Sequence, residues 1–467
     1  MRERLGFWAG LAGFCLLLLL PAPDGMGADA WRVTALAFLM ACWWMTEALP
    51  LTATALLPFA LLPLLGVSTP SDVAASYYSP ILFLVLGGAF MALAIGRTGL
   101  HRRLALAIVG RAPASPRALL LAFMVATAML SMIVSNTATT LIMMPVVVAI
   151  LTATGSPEGE RNPLAIALTL GVAYAATIGG LGTLVGSPTN AIAAGLVDKL
   201  TGFRIDFLTW AMFGLPIVVM AIPLAWLLLI RTTGLSAGKL DPKMLSDAIG
   251  SPGPWSSAER RLAPIVALVV CAWITAPLLG GALPPGLADD GVIAILGALL
   301  LFVVPAGDGR PILVWKEAKA APWDIIMMFG GGLALAEAIT RAGLAVWLGE
   351  RLTMLNEVPL VVMALVLTAF IILVTEFASN VASASGFMPV VAGLMIATGA
   401  DPLLLAMPTA IAASWGFMLP AGTAPNAIAF ATGRLHVTDM LRAGLWLDLA
   451  GTGLIVATVF IIRAIAA

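Results

Sequence analysis

The chain has 467 residues, 61% of them hydrophobic and 10% charged, and its 24 basic and 24 acidic side chains cancel to a formal net charge of zero. A soluble domain carries about 25% charged residues, so the composition excludes a mostly water-facing surface. The neutral balance gives no electrostatic reason for a nucleic-acid or acidic partner. A membrane span needs roughly 20 apolar residues, and such stretches recur along the chain. The first, 5–21, follows Arg2 and Arg4 and ends in a leucine run, as a signal peptide would. Its Pro21-Ala22-Pro23-Asp24 exit is a poor cleavage site and more spans follow, so it reads as a retained first helix. Further segments lie at 31–46, 50–66, 81–97, 118–150, 164–200, 207–230, 262–279, 291–305, 323–340, 359–396, 404–432 and 441–464.

Three of these depart from a simple crossing. The pieces 118–150 and 359–396 are too long and carry small polar clusters at their centres, and 164–200 is interrupted by Gly and Pro. Those are marks of re-entrant hairpins and broken helices. With 118–150 and 359–396 returning to their own side, about eleven crossings remain. With a cytoplasmic N-terminus, only Arg32, Lys199, Arg204, Arg341, Arg351 and Arg463 of the 24 basic residues fall outside. The rest, Arg161 among them, fall on the cytoplasmic side, as the positive-inside rule expects. The expected setting is a bacterial inner membrane, with the C-terminus on the periplasmic or extracellular side. Cys15, Cys42 and Cys271 sit in apolar segments, form no metal or disulfide pattern, and read as small core fillers.

A duplication organises the chain. Gly87-Gly88, Arg97, Gly99 and Leu100 reappear 244 residues later as Gly331-Gly332, Arg341, Gly343 and Leu344. The same shift carries Ser131 onto Thr375, Ser135-Asn136 onto Ser379-Asn380, and Pro145 onto Pro389. After a shortened loop, Gly186-Ser187-Pro188-Thr189-Asn190 aligns with Gly422-Thr423-Ala424-Pro425-Asn426. Halves of five crossings enter from opposite faces because five is odd. Inverted repeats with matched broken helices are a secondary-transporter plan, with the site near the bilayer midplane. The expected layout is a first helix (1–30), repeat one (31–231), a cytoplasmic linker (232–261) and repeat two (262–467).

The chemistry sits in the duplicated polar clusters. Ser131 to Thr140 and Thr375 to Ser383 occupy the centres of the two hairpins. A hairpin tip places helix ends, with unpaired N–H and C=O groups, near the midplane. N–H groups, hydroxyls and amides suit a carboxylate at the positive end of a half-helix. Carbonyl, Ser, Thr and Asn oxygens suit a hard cation such as sodium. No Lys or Arg lies within the tips, so an anion there needs neutral donors and a co-bound cation. The plainer reading, that small polar residues only join membrane helices, does not account for two clusters at one constant shift.

The second pair of clusters, Gly179 to Asn190 and Gly416 to Asn426, combines Gly with Pro and so unwinds a helix. The exposed carbonyls then require a cation or a buried polar neighbour. Glu47, Asp324, Glu337, Glu376 and Asp448 lie in or beside apolar segments, where ionisable groups are functional or paired. Glu376 either tunes a cation site or pairs with an arginine to brace its hairpin, bracing being the expectation. His101 and His436 read as solvated loop residues. No nucleophile elbow, phosphate loop or paired helical histidine is present, so an enzyme is not expected.

Met45-Thr46-Glu47-Ala48-Leu49-Pro50-Leu51, Leu56-Leu57-Pro58, Ser135-Asn136-Thr137-Ala138-Thr139, Thr375-Glu376-Phe377 with Ser379-Asn380, and the two Gly-to-Asn loops together resemble the divalent-anion/sodium symporter family over nearly the whole chain. The resemblance implies an all-α, elevator-type homodimer in the lipid bilayer. Its scaffold parts would be 31–117 and 262–352, and its hairpin and broken-helix parts 118–231 and 353–467. It implies one sodium site at Ser131, Ser135, Asn136 and Gly186, and a second at Thr375, Ala378, Asn380 and Gly422. A small anionic substrate would meet Ser135, Asn136 and Thr137, then Ser379 and Asn380, with Thr423 nearby.

Two positions depart from the family pattern: Val381 replaces the threonine of the second Ser-Asn-Thr, and Ala424 replaces a proline beside Thr423. The expected activity is sodium-coupled import of a divalent carboxylate, a C4-dicarboxylate such as succinate, malate or fumarate. A sodium-independent dicarboxylate exchanger and a carrier of citrate or another divalent anion remain open. Cation/proton antiporters and arsenite-type exporters should carry buried carboxylates at the tips, and none is expected here.

Overall fold

The computed structural model describes residues 2–156, 162–249, 253–279, 283–351, 358–399 and 401–466. Arg161, residues 250–252 of the linker and the boundary at 352–353 lie outside them. Within the described residues the chain is all helical, with a single isolated bridge between Pro305 and Pro311. Helix starts follow local chemistry: Ser115, Asn162 and Asp401 each accept a backbone N–H ahead of a proline in the first turn.

Helices Arg2–Leu19, Ala28–Thr46, Pro80–Thr98, Phe207–Thr233, Ser257–Leu279, Asp290–Val303, Trp323–Arg341 and Val437–Ala466 sit where crossings were expected. The segment at 50–66 differs. It forms two short helices, Leu51–Thr54 and Leu57–Leu64, because Pro58 has no N–H to offer the Thr54 carbonyl. The composition did not reveal the helices Leu100–Val109 and Leu344–Arg351, which follow the duplicated glycines Gly99 and Gly343. Both long pieces are helical hairpins, Pro116–Ser131 with Asn136–Ala153 and Leu360–Thr375 with Asn380–Thr398. The broken helices are Pro163–Gly180 with Pro188–Thr201, and Pro402–Ala412 with Ala424–Ala431.

The halves pack reciprocally. A Cβ on Gly87 would lie 2.6 Å from the backbone of Ala294, and one on its repeat partner Gly331 would lie 2.2 Å from the Ala55 carbonyl. Each half thus presents a glycine to the backbone of the other, Gly87 to helix Asp290–Val303 and Gly331 to the turn between Leu51–Thr54 and Leu57–Leu64, which brings backbones into contact where lipid offers no hydrophobic drive. Helix Pro163–Gly180 is buried from Ala167 to its end. Its Gly179 faces Ala128 of the first hairpin so closely that a Cβ there would lie 2.4 Å from the Ala128 Cα. The cysteines correct an expectation: Cys15 and Cys271 are exposed and Cys42 is half-buried, because the first helix and Ser257–Leu279 lie at the periphery. All three are free thiols.

Candidate functional site

The two tips and the two breaks meet around one cavity of about 780 Å³. Ser135, Asn136 and Thr137 line it from the first tip, and Ala378, Ser379, Asn380 and Val381 from the second. Ser187, Pro188 and Thr189 come from one break and Gly422, Thr423, Ala424 and Pro425 from the other. The remaining wall is Glu47, the face of Pro80–Thr98 carrying Ala89, Ala92, Leu93 and Gly96, and the stretch carrying Ala320, Pro322 and Ile325. No Lys or Arg is among the lining residues.

Four helices begin at this cavity, at Asn136, Pro188, Asn380 and Ala424. Their first turns carry N–H groups without intrahelical partners and the positive ends of the helix dipoles. Each such end contributes about 0.3–1 kcal/mol toward a nearby anion, more when partly buried. The sequence pointed to the tips as donors, but not to the restarts after the two breaks. Ser135 caps its helix by accepting the Ala138 N–H (3.4 Å), and Thr423 caps the last short helix by accepting that of Asn426 (3.3 Å).

Behind the tips lie two matched clusters of oxygens. Ser131 Oγ is 2.6 Å from the Ala176 carbonyl and 2.8 Å from Asn136 Oδ1. Thr375 Oγ1 is 2.7 Å from the Ala413 carbonyl and 2.9 Å from Asn380 Oδ1. A hydroxyl has one proton, so Thr375 can donate to only one of its two oxygen neighbours, whereas Ser131 can donate to the Ala176 carbonyl and accept from the Asn136 amide once that amide is turned over. The Asn136 amide also stands 3.2 Å from the Gly186 and Ala176 carbonyls. Turned over, that amide would donate to all three oxygens; as placed, its oxygen faces only acceptors. A hard cation among them satisfies the same set, so these residues fit sodium. Ser131, Asn136 and Gly186 are therefore brought together, as are Thr375 and Asn380. Ser135, Ala378 and Gly422 line the cavity.

The breaks are stapled alike. Asn190 donates to the Gly180 and Thr183 carbonyls, both at 2.8 Å, and Asn426 to those of Gly416 (3.3 Å) and Leu419 (3.0 Å). Tip and break are also tied together, by different means in each half. In the first, the Thr183 hydroxyl donates to the Met132 carbonyl. In the second, the buried Glu376 carboxylate accepts the N–H groups of Met418 (2.7 Å) and Leu419 (2.8 Å). Glu376 braces its hairpin, then, but through backbone rather than through an arginine. It also corrects the expectation that no buried carboxylate stands at a tip; it faces the break and is not among the cavity-lining residues.

The other acidic residues divide. Glu337 pairs with Lys199 (2.8 Å) and Arg341 (2.8 Å). Asp324 is exposed, and Asp448 is buried beside the Glu376 carboxyl and the Phe417 backbone. His436 is exposed as expected, whereas His101 is half-buried on Leu100–Val109, with Nδ1 2.9 Å from the Ile95 carbonyl. Arg434, expected at the cytoplasmic surface, is buried and reaches the Ser156 carbonyl (3.4 Å).

The sequence profile of the sodium:sulfate symporter transmembrane region matches residues 3–463. The sodium-dependent dicarboxylate transporter SdcS of Staphylococcus saprophyticus is 38% identical over 98% of this chain and 91% of its own length. SdcS of Staphylococcus aureus is 39% identical over 99% of this chain and 92% of its own. Among solved structures, the YdaH transporter of Alcanivorax borkumensis superposes with a TM-score of 0.61 at 15% identity, covering 94% of this chain and 99% of that one. The MtrF efflux pump of Neisseria gonorrhoeae gives 0.59 at 12% identity, covering 99% and 98%. At those identities the structural likeness speaks for the fold alone.

Proposed function

The chain belongs to the divalent-anion/sodium symporter family, that of the sodium:sulfate symporter transmembrane region, and on that premise we propose that it imports a dicarboxylate across the bacterial inner membrane together with sodium. The observation that carries this reading is the convergence of both tips and both breaks on one cavity with no basic side chain in its lining. A dianion there meets only neutral donors and helix ends. Cations at the oxygen clusters behind Asn136 and Asn380 supply the missing positive charge, which makes anion binding depend on sodium. The first sodium would be held by Ser131, Ser135, Asn136 and Gly186, and the second by Thr375, Ala378, Asn380 and Gly422.

One carboxylate per tip suits a C4-dicarboxylate such as succinate. Ser135, Asn136 and Thr137 would take one end, and Ser379 and Asn380 the other, with Thr423 alongside. We further propose an elevator-type displacement of the hairpins, broken helices and last helix of each half against the remaining helices, within a homodimer. The test is uptake of labelled succinate into sealed proteoliposomes. Uptake under an inward sodium gradient and none with choline is the expected result. Uptake that requires preloaded dicarboxylate and ignores sodium would replace the symporter with an exchanger.

A further inference from the structure

We infer that Glu47 makes anion binding wait for sodium: its carboxylate draws cations to the wall of the cavity that the hairpins and breaks do not supply, and repels a dianion until they arrive. Glu47 is the only charged residue among those lining the cavity. It is exposed, and no hydrogen bond or ion pair holds its carboxylate among the described residues. Its backbone is the second observation. It closes helix Ala28–Thr46 with φ 53° and ψ 36°, its N–H bonding to the Trp43 carbonyl. It is the only non-glycine with positive φ among the described residues. That left-handed conformation is unfavourable for a residue with a Cβ, and helix ends give it to glycine, as Gly99, Gly202 and Gly234 do here. Glycine would make the same cap without the strain, so a glutamate kept in this conformation at a cavity wall is the pattern of strain retained for function.

The consequence is electrostatic. The cavity is walled by apolar helices, so a fixed charge acts over its width more strongly than it would in bulk water. A negative wall raises the local sodium concentration and lowers that of a dianion. Sodium at the oxygen clusters then reverses the balance. This rests on the proposed sodium-coupled uptake and adds to it a residue outside both predicted sodium sets.

Removing the charge moves the two ligands in opposite directions, which general damage to the site would not do. In the purified protein, whose cytoplasmic face is open to solution, Glu47→Gln and Glu47→Gly should raise the sodium concentration for half-maximal succinate binding about threefold to tenfold, and lower the succinate Kd at saturating sodium by a similar factor, as expected for one unit charge at intermediate dielectric. Glu47→Asp should restore the sodium response, and added choline chloride should shrink the difference by screening. Glycine removes the strain along with the charge, so it reports even where glutamine folds poorly. Both parameters worsening together, or neither moving, overturns the role of Glu47. Wild-type uptake that ignores sodium overturns the proposed function and this inference together.

Discussion

Val381 stands where Thr137 stands in the first half, and both line the cavity. The second tip therefore offers one hydroxyl fewer to a carboxylate. A hydrogen bond to a charged group contributes roughly 1.5–3 kcal/mol, so Val381→Thr should lower the succinate KM by about tenfold or shift preference among dicarboxylates. Sodium half-activation should move far less, because the oxygen clusters lie behind the tips. Uptake by a substrate panel reads both parameters, and an unchanged panel would mean that this side chain does not meet the anion. Such residues were legible in the sequence because the duplication marks them: Ser131 and Thr375, and Asn136 and Asn380, hold the same bonds in both halves. The partners of Glu376 were not legible. They are backbone N–H groups more than 40 residues along the chain, and no residue type announces them.

Hairpins and breaks declared themselves by length and by Gly, Pro and small polar clusters in apolar runs. The short helices did not: at 50–66 a continuous apolar stretch conceals the stop that Pro58 imposes. In the sequence the breaks before Pro188 and Ala424 announce exposed carbonyls; the helix restarts there also present N–H groups to the cavity. What ties each tip to its break differs between halves, a hydroxyl at Thr183 and a carboxyl group at Glu376. Glu376→Gln keeps the shape but has one acceptor oxygen and an NH₂ group facing a backbone N–H. Leaving a buried donor unsatisfied costs about 1–3 kcal/mol, so the variant should lose stability and should weaken sodium activation more than succinate binding. Sodium titrations of uptake, with thermal melting of the purified protein, check this. Unchanged sodium activation would mean that the tie does not shape the second cation cluster.

At the scale of the whole molecule, the reciprocal packing of Gly87 and Gly331 places the two halves about a shared centre. Ion pairs Lys199–Glu337 (2.8 Å) and Arg204–Asp289 (2.7 Å) join the first broken helix and the loop after it to the helices of the other half. In the proposed orientation these lie on the outer side, while Glu47, Gly96 and Ala320 carry the cavity toward the cytoplasmic ends of their segments. Composition and the repeat foretold the membrane setting and the doubled plan. The repeat and the family resemblance also pointed to one site shared by both halves; that Glu47 and the stretch carrying Ala320, Pro322 and Ile325 wall it depends on how the halves dock and was not legible.

The central claim, that neutral groups from mirrored tips hold an anion only beside its cations, is tested most directly by succinate binding to the purified protein with sodium and with choline. The wild type should bind in sodium alone, and Asn136→Ala and Asn380→Ala should each abolish binding while keeping the oligomeric state and the melting transition. Sodium-independent binding by the wild type, or wild-type binding by either variant, would contradict it.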